Sequence, residues 1–182
     1  TGGMGMNTGV ADASDLGWKL AATVQGWAGS ELLSTYQTER KPVAMRNASY
    51  STHNYKTWTS PPACEFILED SEKAESMRRS IGKKIKDATR SEWQSWGLQV
   101  GYRYEDSPIC FKDGTPPTPD EYSVYVPTAR PGSRAPHVWI EPGKSIFDLF
   151  GKNFTLLVFP EADIDQVKYL TLAAAAQNVP LS

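Results

Sequence analysis

Four glycines open the sequence and lead directly into a predicted helix, and here the residue types point most clearly to chemistry. They lie in the run Thr1-Gly2-Gly3-Met4-Gly5-Met6-Asn7-Thr8-Gly9. Glycine lets a backbone approach a ligand closely and take left-handed conformations. The start of a helix adds N–H groups without intrahelical partners and a partial positive charge. Such a segment suits an anion or an electron-rich carbonyl edge, although glycines before a helix also occur in simple turns.

A helix from residue 8 to about residue 27 must position this segment. Apolar residues recur there at three- and four-residue steps, and they predict a buried face made of Val10, Ala13, Leu16, Leu20, Val24 and Trp27. Asn7 or Thr8 is the expected N-cap. Asp12 and Asp15 are expected toward the positive end of the helix dipole, which explains them without a catalytic role. Lys19 is likewise expected to be solvated rather than catalytic.

The rest of the chain predicts further helices and then a βα unit. Helices are expected from about residue 30, with a kink or the start of a new segment at Pro42, from 72 to about 96, as one turn over 145–150, and over 162–177. Short β-prone or extended pieces are expected at 100–104, 109–111 and 122–127, and a buried strand at 153–159. With an incipient strand at Val179, the fold class is a mixed α/β chain heading for a parallel or mixed sheet.

Composition excludes several classes of function. The 182 residues carry 19 Lys+Arg and 21 Asp+Glu, a net charge of −2, so no nucleic-acid or anionic-membrane partner is expected. No apolar run is long enough to predict a membrane span. Cys64 and Cys110 match no metal or redox spacing and, with His53 and His137, predict no metal site. Free thiols favour a reducing compartment, and we expect a cytoplasmic protein.

Beyond these general signals, the sequence resembles the class A FAD-dependent aromatic hydroxylases, with the phenol hydroxylase branch the best match. The resemblance begins with Gly2-Gly3-x-Gly5-x-Asn7-x-Gly9-x-x-Asp12-Ala13-x-x-Leu16-x-Trp18-Lys19-Leu20, which is similar to the third flavin motif of that family. Four further matches follow in family order: Tyr36-x-x-Glu39-Arg40-x-Pro42-Val43-Ala44, Gly101-Tyr102-Arg103-Tyr104, Arg130-Pro131-Gly132-Ser133-Arg134-Ala135-Pro136-His137, and Phe147-Asp148-Leu149-Phe150-Gly151 with Phe154-Thr155-Leu156-Leu157.

The resemblance implies FAD as cofactor and NAD(P)H as co-substrate. It implies that a small aromatic, phenolic substrate is hydroxylated with O₂ through a flavin C4a-hydroperoxide. It also implies that the backbone at the start of the helix meets the pyrimidine edge of the flavin. The cofactor-binding residues implied are Gly2, Gly3, Gly5, Met6 and Asn7. The catalytic residues are expected outside this chain, and Glu39 and Arg40 are expected to orient helices through a local ion pair.

The resemblance also implies a division of the chain and its incompleteness. Residues 1–97 correspond to the C-terminal helical part of an FAD-binding domain, and residues 98–182 to linker strands and the start of a thioredoxin-like domain. That domain has no Cys-x-x-Cys, and in the family it serves packing and dimer contacts. The Gly-x-Gly-x-x-Gly segment is missing, so we expect a C-terminal portion that is inactive alone. Two alternatives are a truncated, non-enzymatic module that keeps only the dimerisation surface, and an independent thioredoxin-like binding domain.

Overall fold

The computed structural model describes residues 3–60 and 64–182. The implied flavin contact Gly2 therefore lies outside the described residues. The elements are α1 (Met4–Gln25), α2 (Thr35–Thr59), α3 (Glu72–Trp93), α4 (Trp96–Val100), β1 (Trp139–Glu141), β2 (Lys144–Ser145), a 3₁₀ helix (Ile146–Leu149) and α5 (Ile164–Ala176). Helices thus dominate the first hundred residues, and a small α/β region follows, in agreement with a mixed fold.

Helix α1 begins at Met4, four residues earlier than the sequence predicted. Its N-cap is Gly3, in the left-handed conformation with φ 53° that glycine adopts without strain. The predicted N-cap at Asn7 or Thr8 is wrong, because both residues already lie inside the helix. The Thr8 hydroxyl instead donates to the Met4 carbonyl at 2.7 Å. The predicted end is confirmed: Gly26, with φ 80°, terminates the helix.

The face of α1 that packs against α2 is the polar one, contrary to the prediction. An inner stripe faces α2 and consists of Thr8, Asp12, Asp15, Lys19 and Ala22. An outer stripe on the opposite side is exposed and consists of Met6, Val10, Ala13, Gly17, Leu20 and Val24. Val24 is 86% exposed whereas Lys19 is fully buried. Burial of charged residues is tolerated here because each finds an oppositely charged partner on α1 or α2.

Helices α2 and α3 continue the helical layer. Helix α2 runs without interruption through Pro42, so the predicted new segment there is not seen, and residues 30–34 form turns before it. Helix α3 begins after Ser71, whose hydroxyl accepts from the Ala74 N–H at 3.2 Å. The two helices are joined by side-chain bonds, since Tyr50 donates its hydroxyl to the Ser91 carbonyl and Trp58 Nε1 donates to Glu92 at 2.7 Å.

The segment between α4 and β1, residues 101–138, contains no strand. The strands predicted at 100–104 and 109–111 are therefore wrong, and the piece expected to be extended at 122–127 pairs with no strand. No other strand lies beside these residues to complete a ladder. Salt bridges hold the segment to the helices instead, with Arg46 Nη2 2.5 Å from Asp120. Close packing adds to this, because a Cβ at Gly97 would lie 1.8 Å from the Glu121 carbonyl oxygen.

The C-terminal region is a βα unit joined to α1 through aromatic rings. Strands β1 and β2 form a small antiparallel hairpin, and a parallel bridge pairs Phe154 with Leu181 on either side of α5. The strand predicted at 153–159 is thus reduced to one bridge, while the predicted parallel pairing is observed. The Phe154 ring lies 6.0 Å from both Trp18 and Trp27, edge to face.

No helix within residues 3–60 and 64–182 has the length and apolar character needed to cross a bilayer. Across the same residues, no group of His, Cys, Asp and Glu side chains could hold a metal ion. Cys64 and Cys110 are free thiols.

Candidate functional site

The start of α1 combines the features that the sequence singled out. Gly3, Gly5, Met6 and Asn7 are all exposed and share the N-cap and first turn. Apart from the adjoining backbone of the helix start itself, a Cβ added at Gly3 or Gly5 would meet no atom of the described residues within 4 Å. The structure therefore brings four of the five implied cofactor-binding residues together on one open helix end.

The electrostatics of this helix end suit an electron-rich ligand. The first N–H groups of a helix have no intrahelical carbonyl partner. In α1 no described side chain caps them, and no acidic residue lies in the first turn. In α3, by contrast, Ser71 caps the helix and Glu72 and Glu75 occupy the first turn. The positive end of the α1 dipole is thus left uncompensated by the described residues, as a site for a carbonyl edge or an anion requires.

A flavin ring fits these residues. Its pyrimidine edge carries carbonyl oxygens that accept hydrogen bonds, and reduction adds negative charge there, which N–H dipoles stabilise. The side chains of a first helical turn lean toward the N-terminus. Glycine at position 5 therefore leaves clear the space in which such a ring would approach.

A buried ionic cluster of Lys19, Asp15 and Glu39 lies further along α1, between α1 and α2, and was not predicted from the sequence. Lys19 Nζ lies 2.8 Å from Asp15 and 2.5 Å from Glu39. The other Glu39 oxygen accepts a 2.5 Å hydrogen bond from Ser107. Burial raises the pKa of Asp15, an effect that the hydrogen bond from Lys19 opposes. The cluster fixes α1 against α2 and the following segment, so Lys19 is a structural cation and not a solvated one.

A second ion pair lies closer to the helix start. Arg40 Nε donates to Asp12 at 2.7 Å, and Arg40 Nη1 donates to the Tyr104 hydroxyl at 3.0 Å. Burial alone would lower the pKa of Arg40, but the bonds to Asp12 and Tyr104 raise it above its ordinary value. Glu39 and Arg40 do orient helices, as predicted, yet their charged partners are on α1 and not local. Asp12 and Asp15 are paired with cations, so the predicted dipole role does not account for them.

Replacing Tyr104 with Phe is expected to destabilise the chain by about 1.5–3 kcal/mol, since the bond lost is to a charged group. Burial raises the pKa of Tyr104 to about 12, above the ~10 of an exposed tyrosine. Its contribution to stability is therefore complete below pH ~10 and is lost as the pH rises toward 12. An alkaline titration of tyrosinate absorbance should show a last step that Tyr104→Phe lacks.

The matched control for that titration is Tyr169→Phe, because Tyr169 is 78% exposed. This variant should leave the late step of Tyr104 in place. If the Tyr104→Phe protein titrates like the parent chain, burial does not hold the Tyr104 phenol protonated.

Residues 1–51 match the family model described as FAD binding domain. Among curated relatives, the FAD-dependent monooxygenase opdD of Penicillium oxalicum is 38% identical over 167 residues, which are 89% of this chain and 32% of the relative. The 2,4-dichlorophenol 6-monooxygenase of Delftia acidovorans is 34% identical over 181 residues, 86% of this chain and 30% of the relative. The chain thus spans about a third of the length of these relatives.

Solved structures of similar proteins share the whole fold of the chain. RebC with bound 7-carboxy-K252c superposes with a TM-score of 0.86 at 40% identity, over 99% of this chain and 34% of RebC. The flavin-dependent monooxygenase PieE, in complex with FAD and substrate, gives a TM-score of 0.82 at 30% identity, over 100% of this chain and 35% of PieE.

The matched FAD-binding segment includes the glycines and the open helix end, and the relatives that align with almost the whole chain are monooxygenases and hydroxylases that act on aromatic compounds. FAD is the cofactor that the matched domain binds. The chain belongs to the family of class A FAD-dependent aromatic hydroxylases.

Proposed function

We propose that this chain is part of an FAD-dependent monooxygenase that hydroxylates a small aromatic, phenolic substrate with O₂ and NAD(P)H. The observation that carries the proposal is the uncapped start of α1, which has no acidic residue in its first turn and lies inside the matched FAD-binding segment. A truncated module without activity would have no use for such an opening. The names of the relatives also support an enzyme.

In this proposal the backbone N–H groups at Gly3, Met4, Gly5 and Met6 point toward the pyrimidine edge of the flavin. They bind and orient the ring, and their dipoles favour the negative charge of its reduced form. Asn7 contributes from the next position on the same turn. FAD, when bound, supplies the reduction of O₂ by NAD(P)H-derived electrons and the transfer of one oxygen atom to the aromatic ring. The residues that hold the substrate and move its proton belong to other parts of the protein.

We also propose that the rest of the flavin-binding domain packs on the outer stripe of α1. An apolar stripe along a whole helix is unusual on a free surface, and the relatives are about three times as long as this chain.

Val24→Glu tests this packing, because Val24 is the most exposed of the large side chains in the stripe and is far from the helix start. In this chain alone the substitution should change the free energy of unfolding by less than about 0.5 kcal/mol. In the protein made from the complete reading frame, a buried charge there should cost several kcal/mol, seen as a lower denaturant midpoint. The control is Ser80→Glu on the exposed side of α3. Equal small effects in both proteins would contradict the packing.

Residues 98–182 are, in this proposal, a linker followed by the N-terminal part of a thioredoxin-like domain. The parallel bridge between Phe154 and Leu181 around α5 supports it, since a strand, a helix and a parallel strand form such a unit. We assign the domain to packing and to a homodimer contact, and not to redox chemistry. The free thiols of Cys64 and Cys110 support a cytoplasmic location.

The experiment that tests the function uses the protein from the complete reading frame, loaded with FAD. With NADPH or NADH, isotopically labelled O₂ and a panel of phenols, we expect one labelled oxygen atom in the ring of the product. Consumption of reductant with no labelled product from any aromatic compound would contradict the hydroxylase assignment, and absence of bound flavin would contradict the cofactor assignment.

A further inference from the structure

Two consecutive hydrogen bonds connect the first turn of α1 to α2. Asn47 Nδ2 donates to Thr8 Oγ1 at 2.8 Å, and Thr8 Oγ1 donates to the Met4 carbonyl at 2.7 Å. Because the Thr8 hydroxyl gives its proton to Met4, its oxygen can only accept from Asn47. This order fixes the orientation of the Asn47 amide, whose Oδ1 is then buried without a hydrogen-bond partner among the described residues.

These bonds restrain a turn whose two glycines would otherwise give its backbone high conformational freedom. Met4 lies between Gly3 and Gly5, and neither glycine has a side chain to pack. No described side chain caps the turn. The Asn47–Thr8–Met4 connection therefore joins the first turn of α1 to α2, one turn before the Arg40–Asp12 ion pair.

Packing alone does not explain Asn47 at this position. A leucine of similar size would fill the space without burying an unmatched acceptor, which is unfavourable. The hydrogen bond that Asn47 Nδ2 donates to Thr8 explains why an amide side chain occupies this position.

We propose that Thr8 and Asn47 are positioning residues for flavin binding, which rests on the proposed function of the α1 start. They do not touch the flavin; they fix the direction in which the first N–H groups of α1 point. The stabilisation of reduced flavin by these dipoles depends on where the N–H groups lie and point, because the electrostatic effect of a helix end falls off within the first turn. Loss of the connection should therefore weaken the binding of reduced flavin more than that of oxidised flavin.

The test compares Thr8→Val, which keeps the shape and removes both bonds, with Thr8→Ser, which keeps the hydroxyl. Both are made in the protein from the complete reading frame. Hydrogen exchange of residues 7–10, whose N–H groups are the first to bond within α1, should in the flavin-free protein be about tenfold faster in Thr8→Val and near the parent rate in Thr8→Ser. The midpoint potential of bound FAD should fall by about 30 mV in Thr8→Val, which corresponds to a tenfold preferential loss of reduced flavin for a two-electron couple. Thr8→Ser should restore it.

Asn47→Leu provides a second variant should Thr8→Val not fold, because it leaves the bond between Thr8 and Met4 intact. Unchanged exchange in the variant that folds would overturn the proposal, and so would faster exchange with an unchanged potential, which indicates a structural role only. A parent protein that binds no FAD would instead contradict the proposed function, while the exchange measurement still reports on the connection.

Discussion

Replacing Lys19 with Met is expected to lower the free energy of unfolding of this chain by about 3–5 kcal/mol, the usual cost of removing one partner from a buried ion pair. Lys19 is fully buried and is the cation shared by Asp15 and Glu39. Without it, two carboxylates remain in a site with almost no access to water. Urea unfolding followed by circular dichroism measures the change.

The pH dependence of the variant provides an independent check. With Lys19 gone, burial and repulsion from Glu39 should raise the pKa of Asp15 further, because the opposing hydrogen bond from Lys19 is lost. A carboxyl whose pKa is raised on folding stabilises the native state below its unfolded value of about 4 and loses that contribution as the pH rises. The deficit of Lys19→Met should therefore be largest at neutral pH and should shrink as the pH approaches 4.

Two further variants separate this effect from simple loss of a lysine. Lys84→Met, on the exposed side of α3, should cost less than about 0.5 kcal/mol. Adding Asp15→Asn and Glu39→Gln to Lys19→Met should recover part of the stability, because neutral amides do not repel each other. If Lys19→Met costs no more than Lys84→Met, the cluster does not hold α1 against α2.

Much of the helical order follows from sequence periodicity and from glycine. The end of α1 at Gly26, α3, the single 3₁₀ turn and α5 all lie close to their predicted positions. The start of α1 does not, because a glycine in the left-handed conformation caps the helix with its backbone alone, and the rules for side-chain caps do not detect it.

Which face of α1 is buried could not be read from its apolar residues. The spacing of apolar residues shows that a helix has a face suited to an apolar partner, but the face that is buried depends on the element that packs there. In this chain that element is α2, whose Glu39 and Arg40 pair with the polar stripe. A signal was available, since Thr8, Asp12, Asp15 and Lys19 recur at the same three- and four-residue steps as the apolar stripe. The partners of Lys19 and Arg40 are distant in sequence, and periodicity contains no information about them.

The turn that we propose faces the flavin could be singled out from the sequence because its glycines, their spacing and the following helix form a single local motif. The Asn47–Thr8 connection was not, because its two residues are on different helices and a hydrogen bond between them depends on how these helices pack.

Replacing Gly5 with Ala is expected to affect stability and flavin binding in opposite directions. A Cβ at this position meets no described atom within 4 Å, and alanine favours a helix over glycine by up to about 1 kcal/mol, so the chain should be as stable or more stable. The same methyl group leans toward the helix N-terminus. It therefore enters the space assigned to the flavin, where overpacking costs about 1–3 kcal/mol.

The dissociation constant of FAD in the protein from the complete reading frame is the most direct test of the central claim that the start of α1 faces the flavin. For Gly5→Ala we expect it to rise roughly 5- to 150-fold above the parent value, with no loss of thermal stability in the flavin-free protein. Gly82→Ala on α3, where a Cβ is equally unhindered, should leave it unchanged. Equal affinities for FAD in the parent protein and in Gly5→Ala would contradict the claim.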